Sequence, residues 1–335
     1  MLAFGWLGFY TYFIMNYRHF LILLILFLPL FFSCTKKAAE TESIILGFSQ
    51  IGAESAWRNS HTRSVQEAAA EAGIQLIYFN AEQKQENQIR AIRSFIAYQV
   101  DVIAFVPIVS HGWGSVLNEA RIAGIPVLIC DREINIQNES FFAGFIGTDS
   151  LQQGRNAAEF LLEKFEEENR LIRIVELGGT EGSSVAINRA LGFREVLDEY
   201  PKFEIIFSES GDFLRSKGYE LMHSILDKFS FNDIDVLYSH NDSMTLGAID
   251  AMKGQGIQPG KDIVIVTIDA EQAAIDALIR GEINCVVECN PKQGSEIIKL
   301  AAALARGEVI PRVTFMLEDV FSEFDSLYYI SPRGY

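Results

Sequence analysis

The stretch DVIAFVPIVSHGWGSVLNEARIAGIPVLICDR, residues 101–132, contains two short apolar runs on either side of an amphipathic segment. Residues 102–106 and 126–129 are almost continuously apolar, which is typical of parallel strands that are buried on both faces. Between them, residues 116–123 predict a helix that ends at Gly124. A strand, a helix and a second strand in this order predict a parallel pair joined by a right-handed crossover.

The same alternation extends over most of the chain. Strands are predicted at 44–48, 75–79, 102–106, 126–129, 172–177, 203–208, 236–239, 263–268 and 284–288, with helices at 56–72, 85–98, 116–123, 151–169, 185–200, 214–228, 244–253, 272–280 and 293–306. A chain of 335 residues is too long for one ordinary hydrophobic core. We therefore predict an α/β protein with two Rossmann-like lobes, each built on a parallel sheet.

The composition excludes some classes of protein. The chain has 28 Lys and Arg residues against 44 Asp and Glu residues, a net charge of −16, which argues against a nucleic-acid partner. Its hydrophobic fraction of 49% is too high for a disordered chain. Four cysteines in a chain of this length exclude a disulfide scaffold.

The N-terminal segment predicts export. Residues 20–32, FLILLILFLPLFF, follow Arg18 and are uncharged, and they are too few to span a bilayer but enough for a secretion signal. Cys34 follows this run and resembles a lipobox cysteine, so we expect lipidation there and assign residues 1–34 to a signal and lipoprotein segment. The alternative is a signal anchor with an incidental cysteine. Translation from Met15 would give a better signal than translation from Met1.

Polar and aromatic residues follow five of the predicted strands, where open α/β sheets bind their ligands. They are Glu54, Ser55, Trp57, Arg58, Asp131, Arg132, Arg189, Asn241, Asp242 and Asp269. Carboxylates accept hydrogen bonds, guanidinium groups donate them, amides do both, and an aromatic face can cover the C–H side of a sugar ring. This set predicts a pocket for a ligand rich in hydroxyl groups. The alternative is that each Asp or Asn is an ordinary helix cap.

Signals for catalysis are weak. The five histidines show no metal-ligand spacing, no GxSxG motif occurs, and residues 256–261 lack the spacing of a P-loop. Cys285 and Cys289 are too far apart along one strand to form a disulfide, so buried thiols are expected there and at Cys130. We predict no catalytic residue, cofactor or metal. A glycosidase with two carboxylates remains an alternative.

Eight segments resemble the bacterial periplasmic sugar-binding proteins of the ribose/galactose type. They are GFSQIGAESAWR (47–58), QKQENQIRAIRSF (83–95), DVIAFVPIVSHGW (101–113), DRE (131–133), VELGGTEGSSVAINR (175–189), SGDFLRSKG (210–218), SHNDSMTLGAI (239–249) and PGKDIVIVTID (259–269). The resemblance extends from residue 43 to about residue 317. Within this family, the chain is most similar to proteins that bind galactofuranose for an ABC transporter.

The resemblance implies a type I binding-protein fold in which the chain crosses three times between the lobes. The implied lobes are 43–148 plus 291–317 and 149–290 plus 318–335, with hinges near Thr148, Asn290–Pro291 and Leu317. It implies a monomer that binds a monosaccharide and delivers it to a membrane permease and its ATPase. A protein that presents sugar to a chemoreceptor or sensor kinase is an alternative. A related repressor is another, but it would need a basic DNA-binding segment where residues 1–42 are apolar.

Carried over residue by residue, the resemblance implies specific sugar contacts. Trp57 would lie against the sugar, Arg58 would donate to its oxygens, and Asp131 and Arg132 would act as an acceptor and a donor. The implied contacts from the other lobe are Arg189, Phe213, Asn241 and Asp269, with Glu54, Ser55 and Asp242 flanking them and Glu288 close to a hinge. The aromatic residues beyond Leu317 have no implied function.

Overall fold

The computed structural model describes residues 43–335. The predicted signal segment and the proposed lipidation at Cys34 lie outside the described residues. Within residues 43–335, no helix combines the length and the apolar character needed to cross a membrane.

The first lobe is built on a sheet of six strands in the order β11-β5-β4-β3-β1-β2. These strands are β1 Ile45–Gln50, β2 Gln75–Asn80, β3 Val102–Phe105, β4 Val127–Asp131, β5 Gly144–Gly147 and β11 Val313–Phe315. The helices of this lobe are α1 Ala56–Glu71, α2 Gln85–Ala97, α3 Gly114–Ile122 and α9 Gly294–Ala305. All pairs in this sheet are parallel.

The second lobe is built on a sheet of six strands in the order β12-β10-β9-β8-β6-β7. These strands are β6 Ile172–Gly178, β7 Phe203–Ser210, β8 Val236–Ser239, β9 Val264–Asp269, β10 Cys285–Glu288 and β12 Val320–Ser322. Its helices are α4 Ser150–Lys164, α5 Ser184–Leu197, α6 Arg215–Lys228, α7 Asp242–Gly254 and α8 Gln272–Ile279. Only β12 runs antiparallel to its neighbour among these described strands.

Strand β3 shows why the apolar runs form parallel strands. Val102 and Ala104 pack on one face of the sheet with residues of α1 and α9, whereas Ile103 and Phe105 pack on the other face with residues of α2 and α3. Both faces are therefore covered, and a strand in this position needs apolar residues at every position. The fold class predicted from the sequence is confirmed: two parallel-sheet lobes between which the chain crosses after β5, after β10 and between β11 and β12.

The structure adds three strands that the sequence did not predict. Strand β5 has only four residues, two of them glycines, and β11 and β12 have three residues each, so none shows a periodic pattern. The predicted helix 151–169 ends earlier, at Lys164. Phe165 turns inward there to pack against Phe203, and the Lys202 Nζ atom donates to the Phe165 carbonyl oxygen at 2.6 Å.

Helices α4 and α5 pack directly on each other through two glycines. A Cβ atom at Gly192 would overlap the Leu151 carbonyl oxygen, and one at Gly154 would overlap the Arg189 carbonyl oxygen. The two helix backbones can approach this closely only because both positions lack a side chain. The contact fixes the middle of α5, which carries Arg189.

We predict that Gly192→Ala lowers the free energy of unfolding by about 1–3 kcal/mol, because the added methyl group forces α4 and α5 apart. Urea denaturation of the ligand-free protein measures this change. The matched control is Gly254→Ala at the end of α7, where an added Cβ meets no described atom within 4 Å. Equal stability of the two variants would contradict the close-packing argument.

Candidate functional site

A cavity lies between the two lobes, at the carboxyl ends of their strands. About 320 Å³ of it is not filled by atoms, which includes space open to solvent. Twelve residues line it: Glu54, Ser55, Trp57, Arg58, Asp131, Arg132, Val185, Arg189, Phe213, Asn241, Asp269 and Cys289. Ten of these belong to the twelve contact and flanking residues expected from the sequence, and they come from both lobes.

Arg58 is the centre of the first lobe's side of the cavity. It lies in the first turn of α1, which is capped by Ser55, whose Oγ accepts a hydrogen bond from the Arg58 backbone N at 3.0 Å. The buried guanidinium donates from Nε to Glu54 Oε1 at 3.0 Å and from Nη1 to Asp131 Oδ2 at 2.8 Å. Arg58 is thus held by two carboxylates from different elements of the same lobe.

The charges of this group are strongly coupled. Burial alone would lower the pKa of Arg58, but the carboxylates of Asp131 and Glu54 outweigh burial and raise it. Burial alone would raise the pKa of Asp131, but the charge of Arg58 outweighs burial and lowers it. Arg58 and Asp131 therefore form a stable ion pair at neutral pH.

Arg132 extends this group toward the second lobe. Its Nη1 donates to the Ile108 carbonyl oxygen at 3.1 Å, and its guanidinium carbon lies 5.3 Å from the ring centroid of Phe213. Burial and repulsion from Arg58 lower the pKa of Arg132 to about 10, so it stays charged at neutral pH. Arg132 Nε and Glu54 Oε2 are buried and have no hydrogen-bond partner among the described residues. Both atoms can still bind a ligand.

The second lobe contributes Arg189, which is held on three sides. Its Nε donates to Gln153 Oε1 at 2.9 Å, its Nη1 donates to the His240 carbonyl oxygen, and its Nη2 lies 3.5 Å from Asp269 Oδ1. Burial raises the pKa of Asp269 well above its ordinary value, although the charge of Arg189 opposes this shift. The arginine therefore has a fixed orientation toward the cavity.

Asn241 acts both as a helix cap and as a cavity residue. Its Oδ1 accepts from the Met244 backbone N at 3.0 Å at the start of α7, and its Nδ2 donates to the Phe213 carbonyl oxygen at 3.3 Å. The capping interpretation and the pocket interpretation of this residue are therefore compatible, because one side chain fulfils both roles.

Three cavity residues have backbone conformations that favour glycine. The φ angle is 61° at Asp131, 61° at Phe213 and 136° at Asp269. Non-glycine residues in this region carry a conformational penalty, and such residues cluster at functional sites because the surrounding structure holds them there. Asp131 and Asp269 are the last residues of β4 and β9, and Phe213 lies in the loop between β7 and α6.

Trp57 joins the two lobes. Its indole Nε1 donates to the Cys289 carbonyl oxygen at 2.5 Å, and its backbone N donates to Glu271 Oε1 at 3.0 Å. The indole stacks on His61 with the ring centroids 5.3 Å apart. Burial, as the largest cause, lowers the pKa of His61 to about 4, so this ring is neutral at neutral pH.

Two expected residues lie outside the cavity lining. The Glu288 carboxylate pairs with Arg333, and its Oε2 accepts from the Asp319 backbone N at 2.9 Å, so β12 and the following segment occupy it. Asp242 is buried behind the cavity, where it accepts from Thr267 Oγ1 at 2.8 Å and from the Glu271 backbone N at 2.7 Å. The sequence does not predict the partners of Glu288 or of Asp242, because these partners lie far away along the chain.

Two lining residues were missed. Val185 lies in the first turn of α5 and not at the end of a strand. An apolar residue in a helix does not indicate a ligand contact in the sequence. Cys289 was expected to be a buried thiol, and the cysteines of the described residues are indeed free and buried. The Cys289 backbone carbonyl oxygen accepts a hydrogen bond from Trp57, and the identity of a side chain does not predict such a backbone contact.

Behind the cavity, a chain of hydrogen bonds connects Arg189 to two of the segments that cross between the lobes. Gln153 accepts from Arg189 and donates from Nε2 to Glu318 Oε2 at 2.8 Å, while Glu318 Oε1 accepts from the Asn290 backbone N at 3.0 Å. Burial raises the pKa of Glu318 from 4.5 to about 7. Two crossings between the sheets, at Asn290 and at Glu318, thus meet at one half-buried carboxyl group. No group of His, Cys, Asp and Glu side chains within residues 43–335 is arranged to hold a metal ion.

A two-lobed α/β protein with a polar cavity between the lobes has the architecture of a solute-binding protein. The chain belongs to the periplasmic binding protein family: the pattern of the periplasmic binding protein domain matches residues 46–308. It is 42% identical over 249 residues to the galactofuranose-binding protein YtfQ of Escherichia coli strain K12, a match that covers 74% of this chain and 78% of YtfQ. These findings confirm the family resemblance.

Solved structures show the same fold. A Mycobacterium smegmatis protein in complex with β-D-fucofuranose matches with a TM-score of 0.82 and 42% identity, covering 84% of this chain and 92% of that chain. The periplasmic binding component of the arabinose ABC transporter of Shewanella sp. ANA-3, bound to α- and β-L-arabinofuranose, matches with a TM-score of 0.80 and 40% identity. That match covers 83% of this chain and 91% of that chain.

We predict that Glu318→Gln flattens the pH dependence of stability between about pH 4.5 and pH 7. Glu318 holds its proton up to about pH 7 when folded, whereas the ordinary value is 4.5. Folding therefore takes up a proton in this window, and the contribution of Glu318 to the free energy of unfolding falls as the pH rises, by at most about 3 kcal/mol.

Urea unfolding of the protein at pH 5 and at pH 7.5 measures the effect. The matched control is Glu67→Gln, an exposed position on α1, which should keep the pH dependence of the unaltered protein. The same pH slope in all three proteins would contradict a protonated Glu318.

Proposed function

We propose that this protein captures a monosaccharide, galactofuranose or a similar furanose or pyranose, between its two lobes and delivers it to the permease and ATPase of an ABC importer. The observation that carries the proposal is the balance between guanidinium and carboxyl groups in the cavity. Three guanidinium groups, of Arg58, Arg132 and Arg189, face three carboxyl groups, of Glu54, Asp131 and Asp269.

This balance favours an uncharged ligand rich in hydroxyl groups. Arg58 and Arg189 already bind Asp131 and Asp269, so a sugar phosphate or sugar acid would have to displace a carboxylate or add a buried charge. A sugar hydroxyl can instead donate to a carboxylate and accept from a guanidinium at the same time. The free Arg132 Nε and Glu54 Oε2 atoms form such a donor and acceptor pair.

The relatives support a furanose in particular. The name of YtfQ mentions galactofuranose, and the two similar structures hold fucofuranose and arabinofuranose. The chain shares about two residues in five with each of them. We therefore place galactofuranose and arabinofuranose first among the candidate ligands.

The proposed mechanism is closure of two lobes about a hinge. The lobes would comprise 43–148 plus 291–317 and 149–290 plus 318–335. The sugar bridges side chains from both lobes, such as Arg58 from the first and Asp269 from the second, and therefore favours the closed form that a permease recognises. We also infer a monomer in the periplasm or at the cell surface, held to the membrane by a lipid on Cys34.

A thermal-shift measurement with a sugar panel tests the proposal most directly. The panel contains galactose, galactofuranose, arabinose, ribose and disaccharides of galactofuranose. A ligand at 100 times its Kd stabilises the folded protein by about 2.7 kcal/mol, which gives a clear rise in Tm. A cooperatively unfolding protein whose Tm does not respond to any of these sugars would overturn the proposal.

We predict that Arg58→Ala and Asp269→Ala each weaken sugar binding at least about tenfold, because a hydrogen bond to a charged group is lost and a buried partner is left unpaired. Titration calorimetry measures the affinity, and circular dichroism checks that the variants are folded. The matched control is Arg93→Ala, whose exposed side chain pairs with Glu119 far from the cavity. Unchanged affinity in both cavity variants would remove these residues from the site.

A further inference from the structure

The segment at residues 333–335 lies against the loop that follows β9. The Gln272 backbone N donates to the Tyr335 backbone oxygen at 2.7 Å, and the Arg333 backbone N donates to Gln272 Oε1 at 2.8 Å. The Tyr335 hydroxyl donates to the Asp269 carbonyl oxygen at 3.3 Å. Three hydrogen bonds therefore join this segment to the loop 269–272.

The loop needs such support because its backbone is strained. The φ angle is 136° at Asp269 and 65° at Ala270, and Ala270 is fully buried. A non-glycine residue keeps a conformation of this kind only when neighbouring groups hold it there. The hydrogen bond from Tyr335 ends on the carbonyl group of Asp269, between the two strained residues.

The loop carries two side chains with different contacts: Asp269 faces the cavity, and Glu271 binds the first lobe. Asp269 lines the cavity and faces Arg189. Glu271, two residues later, accepts through Oε1 from the Trp57 backbone N at 3.0 Å, at the start of α1 in the first lobe. A carboxylate at a helix N-terminus is stabilised by the unpaired backbone N–H groups there. Glu271 therefore joins the lobes while Asp269 faces the cavity.

The segment 333–335 also contacts the first lobe directly. Arg63 Nη2, on α1, donates to the Gly334 carbonyl oxygen at 3.3 Å, and Lys292 Nζ lies 5.9 Å from the centroid of the Tyr335 ring. The Tyr335 ring packs on the hydrophobic cluster that contains Trp57 and Cys289. Arg333 pairs with Glu288 at the end of β10. The segment thus spans the lobe interface beside a hinge crossing.

We propose that residues 333–335 form a strap that holds the loop 269–272 in the conformation required for sugar binding, with Tyr335 as a positioning residue for Asp269 and Glu271. The strap does not touch the sugar. It keeps Asp269 directed at the cavity and Glu271 on the start of α1, so the closed form and the sugar affinity depend on it. This inference rests on the proposed sugar-binding function.

Tyr335→Phe tests the strap, because it keeps the ring and its packing but removes the hydroxyl, which donates to the Asp269 carbonyl oxygen and accepts from Arg333 Nη2 at 3.2 Å. We expect the Kd for the sugar to rise by about three- to tenfold, because the hydrogen bond that holds the Asp269 carbonyl group is lost. The rise should come mainly from faster dissociation, because changes at a binding site act mostly on the dissociation rate. The Tm of the ligand-free protein should stay unchanged within error. If Tyr335 only stabilised the fold, the substitution would lower this Tm.

The matched control is Tyr329→Phe, since Tyr329 lies just before the strap in the chain but is 86% exposed. It should leave the Kd, the dissociation rate and the Tm unchanged. A double-mutant cycle of Tyr335→Phe with Glu271→Gln should show non-additive losses of affinity, because both act through one loop. Additive losses, or equal Kd values for Tyr335→Phe and the unaltered protein, would overturn the positioning role.

Hydrogen exchange of the backbone amides of residues 269–274 separates failure of the strap from failure of the sugar-binding proposal. In the ligand-free protein, Tyr335→Ala should raise exchange in this loop, and Tyr329→Ala should not. Unchanged exchange in Tyr335→Ala overturns the strap whether or not a sugar binds. If no sugar binds the unaltered protein but exchange rises in Tyr335→Ala, the sugar-binding function fails and the hold of residues 333–335 on the loop is supported.

Discussion

The guanidinium of Arg58 lies between the carboxylates of Glu54 and Asp131, in a place from which most water is excluded. A buried charge is tolerated only when its partners are close and correctly oriented, and removing one partner of such a pair is strongly destabilising. The strained backbone of Asp131, the serine cap of α1 and the turn after β4 all serve this one arrangement. The rest of the cavity is arranged around it.

Contacts across the lobe interface use groups that water could satisfy equally well. The Ser110 backbone N donates to the Gly182 carbonyl oxygen at 2.9 Å, and the Glu133 backbone N donates to Ser184 Oγ at 2.7 Å. Both pairs would exchange their partners for water if the lobes separated, so they contribute little net free energy to closure. A ligand that binds both lobes can then shift the equilibrium between open and closed forms with a modest binding energy.

The sequence predicted the fold and most of the cavity because both depend on local patterns. Buried parallel strands such as β3 leave continuous apolar runs, and their carboxyl ends locate Asp131, Asn241 and Asp269 without any knowledge of distant contacts. The rest depends on long-range pairing. Glu288 is the last residue of β10, but Arg333 and Asp319 occupy its carboxylate, and they come from a segment whose three-residue strands carry no periodic signal. The Cys289 carbonyl oxygen binds Trp57 through the backbone, which side-chain identity does not reveal.

The edge strands β11 and β12 come from a single stretch of ten residues, Val313 to Ser322, yet they complete two different sheets. During synthesis, neither sheet can be completed before this stretch has left the ribosome. The first lobe also lacks α9, residues 294–305, until late in synthesis. A chain whose lobes stay incomplete until its final portion emerges remains unfolded for longer. That delay is compatible with the periplasmic location of this family, which a chain reaches only after it has crossed a membrane.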